Sequence, residues 1–177
     1  MGNTTLIRGI AAGLVGGFVG TFVMDLFGAG LFVVMGGPAS LSFVIIGDAT
    51  AAFFSLIGIT MEGGTPLGAL VHYLLGLALG AILGAAVSRI DALHTDSVER
   101  GGGLGILYVE IMSQPLLATA AIVLNMTFSQ TAQWFAVSFI MHVVYGGVLG
   151  LVVHYGLRSG AETRKAWPQR KFRLQQR

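Results

Sequence analysis

Residues 67–88 read LGALVHYLLGLALGAILGAAVS, a run of 22 residues that has no charged side chain and one histidine, His72. About 20 helical residues cross the hydrocarbon core of a bilayer, so this run is long enough to span a membrane. Three more apolar runs are also long enough, and together the four cover residues 9–35, 67–88, 103–126 and 134–157. They predict an all-α polytopic membrane helix bundle, in which residues 1–157 form a single domain with four transmembrane helices.

The overall composition agrees with a chain that lies in lipid. Hydrophobic residues make up 54% of the 177 residues and charged residues only 10%, against about 25% charged in a typical soluble domain. The mean hydropathy is +0.80, which also excludes a disordered chain of low hydrophobicity. Cysteine is absent, so disulfides, thiolate metal sites and cysteine nucleophiles are excluded.

A fifth apolar run, residues 41–59, lies between the first two predicted spans and contains Asp48. Lysine and arginine collect on the cytoplasmic side of membrane proteins. Four crossings place every basic residue inside, whereas five crossings would place Arg8 outside. We therefore expect both termini in the cytoplasm and an interfacial or re-entrant helix over residues 41–59, with a five-span arrangement as the alternative.

Residues 158–177 form a predicted basic cytoplasmic tail. Its basic residues are Arg158, Arg164, Lys165, Arg170, Lys171, Arg173 and Arg177. Such a tail anchors the topology and contacts anionic lipid headgroups, at about 1 kcal/mol per basic residue near the surface. Docking on an acidic partner is the alternative, and no motif indicates a nucleic-acid partner.

Glycine is the residue type that stands out within the spans, with 27 in the chain. Small residues allow helix backbones to approach closely in lipid. The glycines predicted to pack helices together are Gly13, Gly17, Gly20, Gly76, Gly80, Gly146 and Gly150. A His-x3-Gly-x3-Gly pattern begins at His72 and again at His142, which suggests two helical hairpins in a parallel repeat.

Three ionisable residues share one predicted depth. Counted from the cytoplasmic arginines, Asp25, His72 and His142 all lie roughly 25 Å from the inner face. Ionisable groups inside a span are costly and indicate a functional site. Three interpretations are open: a hydrogen-bonded knot that fixes helix register, a metal or b-haem site using His72 and His142, and a proton relay.

A second polar pair, Glu110 and Gln114, lies about 15 and 21 Å from the inner face and precedes Pro115, which we expect to kink the third span. The pair either satisfies backbone groups freed by the kink or forms a substrate, quinone or proton site. His154 is close to Arg158 and is predicted to be interfacial. No Walker loop, nucleophile elbow or His-Glu-x-x-His motif is present.

Four motifs stand along the chain: the glycine-rich stretch from Gly13 to Asp25, His72 with Gly76, Arg100-Gly101 leading to Pro115, and His142-Val-Val-Tyr-Gly-Gly-Val-Leu-Gly-Leu-Val152. Together these motifs resemble the YagU-like group of small prokaryotic inner-membrane proteins. The resemblance implies a four-helix membrane fold in a prokaryotic plasma (inner) membrane. It implies no activity, so no catalytic residue is transferred from it.

The pattern as a whole predicts a small multi-pass membrane protein without catalytic activity. In this prediction the chain is an accessory or assembly subunit that associates with other membrane subunits or with itself. One alternative is a redox subunit that binds haem b or a metal ion through His72 and His142. A second alternative is a small carrier or proton-conducting protein that uses Asp25 and Glu110.

Overall fold

The computed structural model describes the backbone of residues 3–94 and 96–175 and the side chains of residues 5–94 and 96–158. Within these residues the fold is all-helical, which confirms the predicted class. The five α-helices are α1 (Asn3–Val34), α2 (Leu41–Ser55), α3 (Gly64–Arg89), α4 (Val98–Val123) and α5 (Phe128–Gln175). A 3-10 turn, Asp91–Leu93, precedes α4.

Four helices have the length and apolar composition needed to cross a membrane, as predicted. They comprise Thr5–Val34, Gly64–Arg89, Val98–Val123 and Phe128–Arg158. The 15-residue helix α2 lies between the first two and is too short to cross alone. Among the described residues, the structure therefore has the predicted four spans and one shorter apolar helix.

The start of α4 differs from the sequence-based boundary. The predicted span begins at residue 103, whereas the helix begins at Val98. The Ser97 hydroxyl caps it by accepting from the Arg100 N–H at 3.3 Å, and Glu99 places negative charge in the first turn. These local interactions outweigh the low helix propensity of the glycines that follow.

Helix α5 also begins earlier than predicted, at Phe128 rather than residue 134. Thr127 and Gln130 form a capping box at this end. The Gln130 side-chain oxygen Oε1 accepts from the Thr127 backbone N–H at 2.9 Å, and the Thr127 hydroxyl accepts from the Gln130 backbone N–H at 3.3 Å. The polar residues in this segment therefore start the helix and do not extend the loop.

The bundle places large apolar side chains outside and small residues at helix contacts. Side chains such as Phe18, Leu26 and Ile122 are 52%, 62% and 73% exposed, as expected for residues that face acyl chains. Helix α1 contacts α3 along a glycine seam that pairs Gly9 with Gly84, Gly13 with Gly80 and Gly17 with Gly76. With no hydrophobic force between helices in lipid, this close packing is what holds the pair together.

A second glycine seam joins α4 to α5, where Gly101 meets Gly150 and Gly105 meets both Gly146 and Gly150. The two pairs are joined by α1 against α5, where Gly16 packs on Leu149, Gly20 on the Tyr145 ring and Gly28 on Met141. Helices α3 and α4 make little direct contact. The four spans thus form an arc in the order α3, α1, α5, α4, and the gap between its ends is covered by α2.

Helix α2 is held against the first half of α3. Gly47 lies on the backbone of Gly64, and Gly68 lies on the backbone of Phe43. The Asp48 carboxylate accepts from the Gly64 N–H at 2.8 Å, which satisfies a free donor at the start of α3. The charge within this apolar run therefore joins α2 to the helix that it covers.

Substitution of Gly80 by alanine tests the first glycine seam. An added Cβ would collide with the Gly13 carbonyl on α1, so we expect Gly80→Ala to destabilise the protein by about 1–3 kcal/mol, the usual cost of overpacking. Gly103→Ala is the matched control, because no heavy atom lies within 4 Å of a Cβ at that position. Thermal unfolding in detergent, followed by circular dichroism, measures both. Equal stability of the two variants would contradict the close contact between α1 and α3 at Gly80.

Candidate functional site

Asp25 on α1 and His72 on α3 face each other in the bundle. His72 Nε2 lies 3.1 Å from Asp25 Oδ1, and the side chains are 14% and 11% exposed. The distance is that of an ion pair, but the direction is not that of a hydrogen bond to either carboxylate oxygen. Two of the three residues predicted to share one layer are thus in contact, and a carboxylate and an imidazole can hold or exchange a proton there.

The third predicted residue, His142 on α5, has a different partner. Its Nδ1 lies 3.0 Å from the hydroxyl of Ser113 on α4, which is 4% exposed. The Ser113 hydroxyl also lies 3.3 Å from the Glu110 carbonyl. His142 is therefore oriented by a neutral group, whereas His72 is next to a carboxylate.

The two histidine pairs occupy equivalent positions in the two halves of the chain. In the first half Gly17 packs on Gly76, and the residue eight positions after Gly17 is Asp25, which meets His72. In the second half Gly105 packs on Gly146, and the residue eight positions after it is Ser113, which meets His142. The repeated histidine motif thus has a repeated partner position on the preceding span.

Ser113 was not among the residues singled out from the sequence. The spacing from Gly17 to Asp25 recurs from Gly105 to Ser113, and this comparison would have identified it. Ser113 is not ionisable, so the presence of charge within a span does not mark it.

A cavity of about 400 Å³ lies where the arc of spans is open, and all five helices contribute to its wall. His72 and His142 both line it, so the two imidazoles belong to one site. At the inner end of the cavity, Tyr145 donates to the Gly76 carbonyl at 2.7 Å and Tyr108 donates to the Leu79 carbonyl at 3.0 Å. These bonds link α5 and α4 to α3.

The cavity is partly open, and two residues of its wall also belong to the outer surface of the bundle. Phe53 on α2 and Leu116 on α4 both line the cavity, and they are 46% and 43% exposed. Both side chains are apolar, like the surface that faces acyl chains. An opening beside them would give a molecule dissolved in the lipid a lateral route to the site.

Trp134 on α5 is a further polar group of the cavity wall that sequence reasoning missed. Its Nε1 is buried and has no hydrogen-bond partner among the described residues. The same side chain lines a second cavity of about 420 Å³ nearer the ends of α1 and α4. An unpaired indole N–H in a low-dielectric interior is costly, which distinguishes it from an ordinary packing residue.

Glu110 and Gln114, the second predicted polar pair, do not line this cavity. Gln114 is exposed on the outside of α4, and Glu110 is partly buried with a buried Oε1 that has no hydrogen-bond partner in the described structure. Helix α4 continues through Pro115, which faces outward beside them. The structure thus keeps this pair apart from the two histidines.

The remaining predicted polar residues lie at the other end of the spans. His154, which was expected to be interfacial, is 3% exposed and packs against Gly101 at the start of α4, and its membrane depth stays a prediction. In the predicted basic tail Arg158 is exposed, while the side chains from residue 159 onward lie outside the described residues. The predicted headgroup contact of that tail stays a prediction.

In the described part of the chain, no three His, Asp or Glu side chains are close enough together to hold a metal ion. Two imidazoles at one cavity are the donors that the predicted haem or metal site would use. One of them is already next to a carboxylate at 3.1 Å. The haem and metal interpretation therefore stays a prediction.

A double-mutant cycle tests the pairing of Asp25 with His72. We expect Asp25→Asn and His72→Gln to be coupled by about 0.5–2 kcal/mol in the free energy of unfolding, because the side chains are in contact and shielded. The matched cycle of Asp25→Asn with His142→Gln should give a coupling near zero, since His142 contacts Ser113 instead. Unfolding in mixed micelles provides both coupling energies. A larger coupling of Asp25 with His142 than with His72 would show that the pairing is wrong.

No protein-family model matches the chain, and neither the curated proteins nor the solved structures contain a match to it. The resemblance to the YagU-like group stays a prediction.

Proposed function

We propose that this protein is a small-molecule-binding membrane protein of the carrier class, which holds an apolar molecule in the cavity between its helices. The observation on which the proposal depends is that both intramembrane histidines line one cavity of about 400 Å³. Ligand pockets commonly measure about 300–1,000 Å³ and combine apolar walls with a few placed polar groups. The site fits this description in both size and composition.

The ionisable pair supports a functional site over a purely structural knot. Asp25 and His72 form no well-directed hydrogen bond, so the pair gains less than a knot optimised for stability would gain. Ionisable groups persist inside a span when function requires them. Protonation of this pair provides a way to couple ligand binding to a proton.

The inner half of the bundle favours a binding site over a continuous proton channel. From Gly17 and Gly76 towards the inner ends of α1 and α3, the backbones are in direct contact at every glycine pair. Most cavity-lining residues lie on the other half of the spans, and Leu79, Val109 and Tyr145 mark the limit of the cavity towards the inner half. A proton path through the whole bundle would need space that these seams occupy.

We place the protein in a prokaryotic plasma (inner) membrane, as the resemblance implies, with both termini in the cytoplasm. The basic residues at positions 8, 89, 100 and 158 support this orientation, because each stands at the same end of a span. In this orientation the cavity lies in the outer half of the membrane.

A cavity-filling substitution tests the proposed function. We expect a small molecule to co-purify with the wild type. Ala120 lines the cavity and is 7% exposed, so Ala120→Phe should fill the site and prevent this co-purification. Ala136→Phe, which adds the same group on the exposed face of α5, should retain it. Mass spectrometry of solvent extracts measures the co-purifying molecule.

Two outcomes would contradict that proposal. Extracts of the wild type and of Ala120→Phe that have the same content would show that the cavity holds no ligand. A Soret band that disappears in His72→Ala and in His142→Ala would show that the site belongs to haem, as in the redox alternative.

The accessory-subunit function is a second candidate, favoured by the outward face of α4. Gln114 is exposed within the span, on the same face as Leu107 and Ile111, which are 60% and 62% exposed. An amide that faces hydrocarbon lacks hydrogen-bond partners, whereas a neighbouring transmembrane helix could provide them. This face would then contact another membrane subunit or a second copy of the chain.

Gln114→Leu tests the second candidate. We expect this substitution to reduce the amount of associated subunit, or of dimer, that elutes with the protein in mild detergent. Gln133→Leu on the exposed surface of α5 is the matched control and should have no effect. Size-exclusion chromatography with light scattering gives the mass. A wild type that elutes as a monomer, without other subunits, would count against this function.

A further inference from the structure

The charge and hydrogen-bonding character of the cavity wall limits the chemistry of its ligand. None of the lining residues in the described part of the chain is Lys, Arg, Asp or Glu. Asp25 stands behind His72 and is not part of the wall. A carboxylate, phosphate or ammonium group would therefore be buried without an opposite charge beside it, which costs several kcal/mol per ion. The wall favours an uncharged molecule.

Most hydroxyl groups of the wall already use their hydrogen atom. Each donates to a carbonyl of the helix backbone, either one turn earlier or on a neighbouring span, at 2.7 or 2.8 Å. The donors are Thr21, Thr50, Thr119 and Tyr145, and their acceptors are the carbonyls of Gly17, Ile46, Pro115 and Gly76. These groups contribute little donor capacity to a ligand.

Trp134 Nε1–H is one of the wall donors for which no hydrogen bond is present among the described residues, together with the Ser42 and Ser138 hydroxyls and His72 Nε2. Trp134 differs from the others because hydroxyls and imidazole nitrogens can also act as acceptors. An indole nitrogen can only donate, and no described residue accepts from this one. Leaving a buried donor unpaired costs about 1–3 kcal/mol, and a ligand that supplies an acceptor would recover this loss. The group complementary to an N–H in an apolar, uncharged wall is a carbonyl oxygen.

We propose, resting on the proposed function, that the cavity takes an uncharged apolar molecule with a carbonyl oxygen, which accepts a hydrogen bond from Trp134 Nε1–H. The apolar body of the ligand contacts apolar side chains of the wall such as Phe53 and Leu116. The class includes aryl and alkyl ketones and quinones. It excludes fatty-acid anions and cationic amphiphiles.

Three matched probes test this inference on the full-length protein in detergent. Decanophenone is an uncharged ketone, decylbenzene has the same skeleton with a methylene in place of the carbonyl, and 10-phenyldecanoate adds a negative charge. Native mass spectrometry counts the bound molecules. We expect decanophenone to bind about tenfold more tightly than decylbenzene, the effect of one hydrogen bond to a buried donor.

Trp134→Phe should abolish the preference for the ketone, because it removes the N–H while it keeps an aromatic ring. The measured quantity is the ratio of the two affinities, because a general change in cavity size affects both probes alike and leaves this ratio unchanged. Ala136→Phe is the control that should keep the wild-type ratio. The wild-type ratio alone already tests the inference if Trp134→Phe does not fold.

The outcomes distinguish the inference from the proposed function. Equal binding of ketone and hydrocarbon, tighter binding of the anion, or a preference that persists in Trp134→Phe would each overturn the inference while the cavity remains a binding site. Binding of no probe, or the same binding in wild type and Ala120→Phe, would instead overturn the proposed function.

Discussion

Close backbone contact between helices is the constraint on which the rest of this structure depends. Apolar side chains gain nothing by leaving lipid for a protein interior, so packing and hydrogen bonding must associate the spans. The seam from Gly9 to Gly17 against α3, and that of Gly101 and Gly105 against α5, provide this contact. Because they bring the backbones of each pair together, they also bring Asp25 to His72 and Ser113 to His142.

The cavity exists because close backbone contacts do not join every neighbouring pair of spans. A full ring of four spans would need a third close seam between α3 and α4, but the chain instead places α2 there. Helix α2 is attached to α3 by Gly47, Gly68 and Asp48, and it covers the gap without filling it. His72 on α3 and His142 on α5 therefore both line an open space where a closed ring would have packed them.

The sequence predicts the fold well because hydrophobic length is a strong signal. Four spans and the short helix between them follow from apolar runs, and the common depth of Asp25 and His72 follows from the helical rise. Helix starts at Val98 and Phe128 were misplaced because capping by Ser97 and Thr127 depends on hydrogen bonds that hydropathy does not register. Depth also gives no rotation about the bundle axis, so depth alone predicts neither the separate partner of His142 nor the position of Trp134 in the cavity wall.

Under the proposed function, an opening beside Phe53 and Leu116 would make the bilayer itself the reservoir of the ligand. A solute that partitions strongly into acyl chains reaches a high local concentration there, even when little of it is dissolved in the surrounding water. The occupancy of the protein would then depend on the ratio of solute to lipid, and not on the aqueous concentration. Diluting a cell suspension at fixed membrane content would leave that occupancy unchanged.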